Sequence, residues 1–408
     1  MDINYVRRQF PALAQDQVFM DNAAGSQVVK PCIDAIHDYL CSINVQPAAE
    51  YPVALQAISR LEAGYEAGAS FINASIDEIV FGASTTQLVR NVSTALNFQP
   101  GDEIVLSSLD HEAHLAAWVQ VADWKGLTVK FWTPSEKTQT DPKLEADDLE
   151  AMGLVTEKTR LVCFTHTSNI LGSITDVAKI TRAIKRINPK TLVSVDGVAY
   201  APHAAIDAQA FGVDFYFFSW YKVYGPHMSM AFIKKSAQAE LTSLGHHFLP
   251  KSGAFNMLNL AGGNYELIQS IPSIVMYLRS IGWDWIKRQE GALQEELLAF
   301  IRTRSEIQLY GDPSGSRDVR VPVVCFTVKG RTPTEVVREI YATSKCTPTT
   351  DRNFYAVRLF DTVLGPDTKD GVVRCSFLHY NTVEEVRELV RALKALLDKP
   401  LNKDGSRL

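Results

Sequence analysis

Between Asp77 and Ser219 the chain alternates between short apolar runs and amphipathic stretches, and this alternation leaves few folds open. "DEIVFG" (Asp77–Gly82) reads as a strand and "TTQLVRNVSTAL" (Thr85–Leu96) as a helix. "DEIVLSS" (Asp102–Ser108) is a strand followed by a helix through "HLAAWVQVADWKG", and "LTVKFWT" (Leu127–Thr133) is a further strand. "TRLVCFTHTS" (Thr159–Ser168) leads to the helix "DVAKITRAIKRIN", and "TLVSVDG" and "DFYFFS" add two more strands. Strands that are apolar throughout must be buried on both faces. Repeated with helices, they predict an α/β fold whose mostly parallel sheet is covered on each side.

The pattern changes after about Ser252. A long helical section from Glu266 to Arg304 is followed by the strand "RVPVVCFTVKG", the helix "TPTEVVREIYAT", the strand "GVVRCSFLHY" and the helix "TVEEVRELVRALKALL". The expected division is a large domain over 15–265, a small C-terminal α/β domain over 266–398 joined by residues 1–14, and a frayed polar tail over 399–408.

Composition narrows the function classes. With 408 residues, 46% of them hydrophobic, the chain can bury a large core. A formal charge of -5 provides no basic footprint, so neither nucleic acid nor an anionic membrane is an expected partner. No apolar run approaches a membrane span, and the opening "MDINYVRRQFPALAQ" lacks a signal-peptide core, so a cytoplasmic location is expected. The six cysteines are scattered without a CxxC pair, which indicates no metal site and no disulfide framework.

Ligands of open parallel sheets collect at the carboxyl ends of the strands. Those ends carry "GASTTQ", "LDHEAH", "HTSN", "VDG" and "SWYK". The last stands in "DFYFFSWYKVYGP", where Lys222 follows a run so apolar that an ammonium ion there is costly to desolvate. Pyridoxal 5'-phosphate fits this set, because it needs an amine to hold its aldehyde as a Schiff base and an acid against its pyridine nitrogen. Lys222 would be the amine and Asp196 the acid. Thr85, Thr86 and Ser219 could hold the phosphate at a helix N-terminus, His111 could lie on the ring, and Asn169 could reach its phenolic oxygen. Taken singly, each has a plainer reading: a surface lysine, a turn aspartate, an N-cap. Their shared placement at strand ends is what supports the site.

The segment "DGVAYAPHAAIDAQAFGVDFYFFSWYKVYGP" strongly resembles the cofactor-lysine region of the class V aminotransferases, nearest to the cysteine desulfurase-like branch. "FMDNAAGSQVV", "LDHEAHLAAW", "HTSNILGSITDV" and "VVRCSFLHYNTVEEV" resemble that branch in the same order. The resemblance implies the fold-type I architecture of pyridoxal-phosphate enzymes, with a seven-stranded large domain, a small C-terminal domain, and a homodimer with sites at its interface. It implies the roles given above for Lys222, Asp196, His111, Asn169, Thr85, Thr86 and Ser219. It adds Arg374 as the holder of a substrate carboxylate and the turn Asn22, Ala23, Ala24 as a segment approaching the substrate.

The chain also departs from the branch. Desulfurases carry a sulfur-accepting loop cysteine, where this sequence reads "DRNFYAVRLF" with Tyr355 near that position and Cys346 upstream in the same loop. Ala199, Tyr221 and Gly263 stand where a glutamine, a histidine and a threonine donated across the dimer are usual. The implied function is a pyridoxal-phosphate enzyme acting at the Cα of a free amino acid. It would be a lyase or a replacement or ring-forming enzyme of secondary metabolism, akin to the loline-type cyclase. The alternatives are a cysteine desulfurase or selenocysteine lyase using Cys346, and a non-catalytic dimeric scaffold.

Overall fold

The doubly buried runs form one seven-stranded sheet in a computed structural model that describes residues 1–134, 140–260 and 262–399. The strands in chain order are β1 (Val18–Phe19), β2 (Ile79–Gly82), β3 (Glu103–Ser107), β4 (Thr128–Trp132), β5 (Thr159–Thr165), β6 (Leu192–Asp196), β7 (Phe215–Ser219) and β8 (Ser229–Ile233). They continue as β9 (Ile307–Tyr310), β10 (Val323–Val328), β11 (Cys346–Thr347), β12 (Thr349–Asp351) and β13 (Val372–Ser376).

The large sheet has the order β2-β8-β7-β6-β5-β3-β4. β3 to β7 pair in parallel, while β8 runs antiparallel to both β2 and β7. Only nine residues, Trp220 to Met228, separate β7 from β8. A parallel return would need a crossover of a dozen residues or more, so the chain reverses instead. Side chains alternate between two cores. Val105, Val162, Val193 and Phe218 face one, and Leu106, Cys163, Phe215 and Phe217 face the other. The expected start at Asp77 moves to Ile79, because Ser75 and Glu78 form a capping box around a short 3-10 turn.

The second sheet is antiparallel, in the order β12-β13-β10-β9. The helices Pro333–Ser344 and Val383–Leu397 each begin on a capping box, Thr332 with Glu335 and Thr382 with Glu385. The expected single helical section from Glu266 to Arg304 is instead three helices, Tyr265–Ile268, Ile271–Ile281 and Trp283–Ile301. Gly282, at φ 80°, separates the last two. β1 pairs in parallel with β11, which brings the N-terminal segment against the second sheet. Arg7 reinforces this with an ion pair to Glu385 at 2.8 Å. The expected frayed tail over 399–408 lies outside the described residues apart from Lys399. Among the described residues, no helix is long and apolar enough to cross a membrane.

Candidate active site

β7 ends at Ser219, and the next three residues turn as a 3-10 helix, Trp220–Lys222. The turn carries Lys222 back under the strand ends, where only 7% of it is exposed. Burial and the Arg374 guanidinium push its amine from the usual 10.5 down to about 8, against the opposing pull of Asp196 and Asp21. Lys222 therefore reaches its nucleophilic, neutral form close to physiological pH.

Asp196 closes β6, the strand beside β7. One carboxylate oxygen, Oδ1, accepts from the Val198 N–H at 2.9 Å, and Oδ2 has no hydrogen-bond partner among the described residues. Burial raises its pKa, and His114, Val198 and Lys222 draw it back down.

Three hydroxyls meet beside Lys222. Ser219 lies 2.8 Å from Thr85 and 2.7 Å from Ser229, and Thr85 lies 3.3 Å from Ser229. Ser219 and Ser229 face each other in the β7–β8 register. Thr85 opens the helix Thr85–Ala95, capped by Ser84, which accepts from the Gln87 N–H. Thr86 follows it on the exposed side of the same turn. Ser229 is absent from the sequence-based set. Its only signal is a small polar residue in the otherwise apolar "MSMAFI".

His111 caps the helix Glu112–Lys125, its Nδ1 accepting from the Ala113 N–H at 3.0 Å. The proton is thereby left to Nε2. Burial, reinforced by Lys222 and Arg374, lowers the pKa of this ring to about 4, so it stays neutral. Tyr355 stacks on it, with ring centroids 5.4 Å apart and planes inclined by 29°. Thr85, Thr86, His111, Asn169, Asp196, Ser219, Tyr221 and Lys222 line a single cavity.

Arg374 enters from β13 and is 4% exposed. Its Nη2 donates to Asp21 at 2.8 Å and its Nη1 to the backbone carbonyl of Asn169 at 3.3 Å. The guanidinium lies 4.1 Å from the centre of the Phe354 ring, and its Nε is buried without a partner. Asp21 is a second residue that the sequence did not mark. The Asn169 side chain donates to the Phe354 carbonyl at 3.1 Å, so its amide is engaged by the loop.

The remaining expected residues divide. Asn22 is saturated: its Nδ2 donates to the carbonyls of Phe19 and Ser376, and its Oδ1 accepts from the Tyr380 hydroxyl. It fastens the turn rather than presenting a free amide. Ala23 donates its N–H to the Ser376 hydroxyl at 2.8 Å, and Ala24 is exposed next to it. The Tyr221 ring stacks on His227, with centroids 5.2 Å apart. Gly263 lines a different cavity with Tyr65, Gly82 and Gln87 and does not border that of Lys222.

Tyr355 is 66% exposed. It and Phe354 take left-handed backbone angles, φ 61° and 48°. The Tyr355 carbonyl accepts from the Glu112 N–H at 2.8 Å, and Arg358 pairs with the Glu112 carboxylate. The loop is thus fastened to the first turn of the helix that His111 caps.

Cys346 requires a correction. The sequence put it in the loop with Tyr355 and favoured a buried or idle thiol; it is buried, but in β11 rather than in that loop, in one core cluster with Val324, Phe326 and Cys375. Burial pushes its thiol up to about 11, and the backbone pairing to β1 holds it in place. Among the described residues no group of three or more His, Cys, Asp or Glu side chains is arranged to hold a metal ion.

Comparison with known proteins gives a consistent result. The sequence profile of the family described as Aminotransferase class-V matches residues 18–389. The aminotransferase-like protein FGM3 of Gibberella zeae is 45% identical over 97% of this chain and 98% of its own length. The nonribosomal peptide synthetase-like enzyme fsqF of Aspergillus fumigatus is 38% identical over 96% of this chain, which spans only 26% of that longer protein. In the apo structure of a cysteine desulfurase from Thermococcus onnurineus the fold is the same. The TM-score is 0.86 at 24% identity, covering 97% of this chain and 98% of that one.

Proposed function

The chain belongs to the class V aminotransferase family, and on that premise we propose that it is a pyridoxal-phosphate-dependent enzyme acting at the Cα of a free amino acid. The observation that carries the proposal is the union, in one cavity, of a buried amine with a pKa of about 8 and a buried carboxylate. The residues fit the cofactor. Lys222 would hold its aldehyde, and the unpartnered Oδ2 of Asp196 would meet its ring nitrogen. Thr85, Thr86 and Ser219 would hold its phosphate, and Ser229 would fix the last of these hydroxyls. His111 would cover the ring, and Asn169 would reach the phenolic oxygen on leaving Phe354.

When bound, the cofactor supplies an electron sink for negative charge at the substrate's Cα. The chain's own residues supply the rest. Lys222, neutral near pH 8, takes the proton from Cα and returns it. Arg374 holds the α-carboxylate and so decides which Cα bond is aligned for cleavage. His111, held neutral by burial with its proton on Nε2, would cover the bound cofactor. Buried aromatic side chains around the Lys222 turn exclude water from the amine.

The reaction we favour is that of a lyase or of a replacement or ring-forming enzyme in secondary metabolism. The likeness to a nonribosomal peptide synthetase-like protein supports the setting. The aromatic pair Phe354–Tyr355 in the loop and the burial of Cys346 count against a sulfur-accepting desulfurase. A homodimer is part of the same proposal, supported by the exposed apolar Leu55, Phe255 and Leu260.

Borohydride reduction of the yellow protein followed by peptide mapping tests the cofactor. The expected tag falls on Lys222, and a tag elsewhere or none rejects the proposal. Incubation with amino acids in D2O tests the chemistry. At least one should incorporate deuterium at Cα, and a non-catalytic scaffold would incorporate none.

A further inference from the structure

Beneath Asp196 lies a second hydrogen-bonded chain that the proposed reaction does not use. His114 Nδ1 is 2.6 Å from Asp110 Oδ1, and His114 Nε2 is 2.8 Å from the Ser194 hydroxyl. The order Ser–His–Asp is that of a hydrolase triad, but His114 and Ser194 are fully buried and Asp110 is 1% exposed. No substrate reaches the Ser194 oxygen, so a nucleophilic role is excluded. Another role is needed, because a buried carboxylate and imidazole cost desolvation that an apolar trio would avoid. The cost is not fully compensated: the second oxygen of Asp110 is buried without a hydrogen-bond partner.

The position of the chain indicates what it serves. Ser194 and Asp196 are two residues apart on β6 and so face the same side of the sheet. On that side the His114 ring packs 6.0 Å from the ring of Phe217, and Phe217 is the register partner of Asp196 on β7. His114 also lies one helical turn from His111, so one helix start carries both the ring-facing imidazole and the buried one. The other titratable groups around the chain are the Cys163 thiol, paired in register with Ser194, and the His111 ring, while the Lys222 amine acts on Asp196 itself. Of the two members that act on Asp196, His114 favours its negative charge more than Asp110 opposes it.

We propose that Asp110, His114 and Ser194 are positioning residues for Asp196, a buried network that fixes its carboxylate against the cofactor's ring nitrogen and sustains its negative charge. The inference rests on the cofactor reading above. It adds a requirement that reading does not contain: the protonation of the ring nitrogen depends on residues that never touch the cofactor.

The test uses the holoprotein loaded with cofactor labelled with 15N in the ring, and the chemical shift reads directly whether that nitrogen carries a proton. His114→Gln should move the shift toward the unprotonated value and weaken cofactor binding about tenfold, the equivalent of about one pKa unit. Ser194→Ala, which deletes one hydrogen bond and no charge, should move both readouts the same way by less, and it carries the test if His114→Gln does not fold. A purely structural network would lower the melting temperature and leave the 15N shift unchanged, and that result overturns the inference. Borohydride mapping runs in parallel. If wild type and variant both carry the Lys222 tag and their shifts agree, this inference alone fails. If the wild type carries no tag, the cofactor reading fails and the network's role fails with it.

Discussion

Arg374 and Asp21 form an ion pair, Nη2 to Oδ1 at 2.8 Å, that joins β13 to the turn following β1. The cation proposed to hold the substrate carboxylate already has an anionic partner within the chain. A substrate carboxylate would have to compete with Asp21 and the Asn169 carbonyl for the Nη donors, because Nε is buried. Arg374→Lys should lower kcat/KM by about 10- to 100-fold, or ~1.5–3 kcal/mol, because an ammonium cannot reproduce the fork. Far-ultraviolet circular dichroism should be unchanged. Asp21→Asn should destabilise the fold by about 1–2 kcal/mol in urea, less than for a fully buried pair. The discount follows from the 32% exposure of the Asp21 side chain.

Lys222 predicts a pH dependence of definite sign. Its amine releases its proton at about 8 in the folded chain and at the ordinary 10.5 when unfolded. Between those values the unfolded chain binds more protons, so the native state of the apoprotein gains stability as pH rises from about 8 to about 10.5. Urea midpoints measured from pH 7 to about 10 should rise more for the wild-type apoprotein than for Lys222→Met. The initial rate of imine formation with pyridoxal phosphate should rise with a midpoint near 8. Parallel midpoints for wild type and variant would show that the amine is not shifted.

The burial of Cys346 makes it dispensable for chemistry. Cys346→Ala should keep amino-acid-dependent deuterium incorporation within about twofold of wild type while lowering stability by ~1 kcal/mol. Loss of incorporation with the fold intact would restore the thiol to the mechanism.

Gly197 follows Asp196, and a Cβ there would come within 2.2 Å of the Tyr216 ring. Gly197→Ala should therefore cost ~1–3 kcal/mol of stability and weaken cofactor binding, since relief of the clash must move the end of β6. Thermal melting and a cofactor titration check the two effects separately.

Much of this was legible in the sequence, for identifiable reasons. The doubly apolar strands follow from burial on both faces, and Lys222 was conspicuous because its charge is costly where the chain puts it. β8 was not seen, since nothing in "SMAFI" marks a reversal of direction and only the short link from β7 imposes it. Asp21, Ser229 and His114 were missed for a common reason. Their roles depend on partners far away in sequence: Arg374 for the first, Thr85 for the second, Ser194 for the third. The reading of Cys346 as a loop residue failed because a two-residue strand is too short to leave a pattern. The resemblance implied Asn22 as a residue approaching the substrate, but the Tyr380 hydroxyl and two carbonyls already occupy its amide.

The segment holding Phe354 and Tyr355 is short, solvent-facing in part, and fastened at few points to the helix that His111 caps. Phe354 is buried in the core beneath it, whereas the Tyr355 side chain is exposed and belongs to no core cluster of the seven-stranded scaffold. Chemistry can therefore diversify at this rim by substitution of a few residues, while the strand ends that would grip the cofactor stay the same.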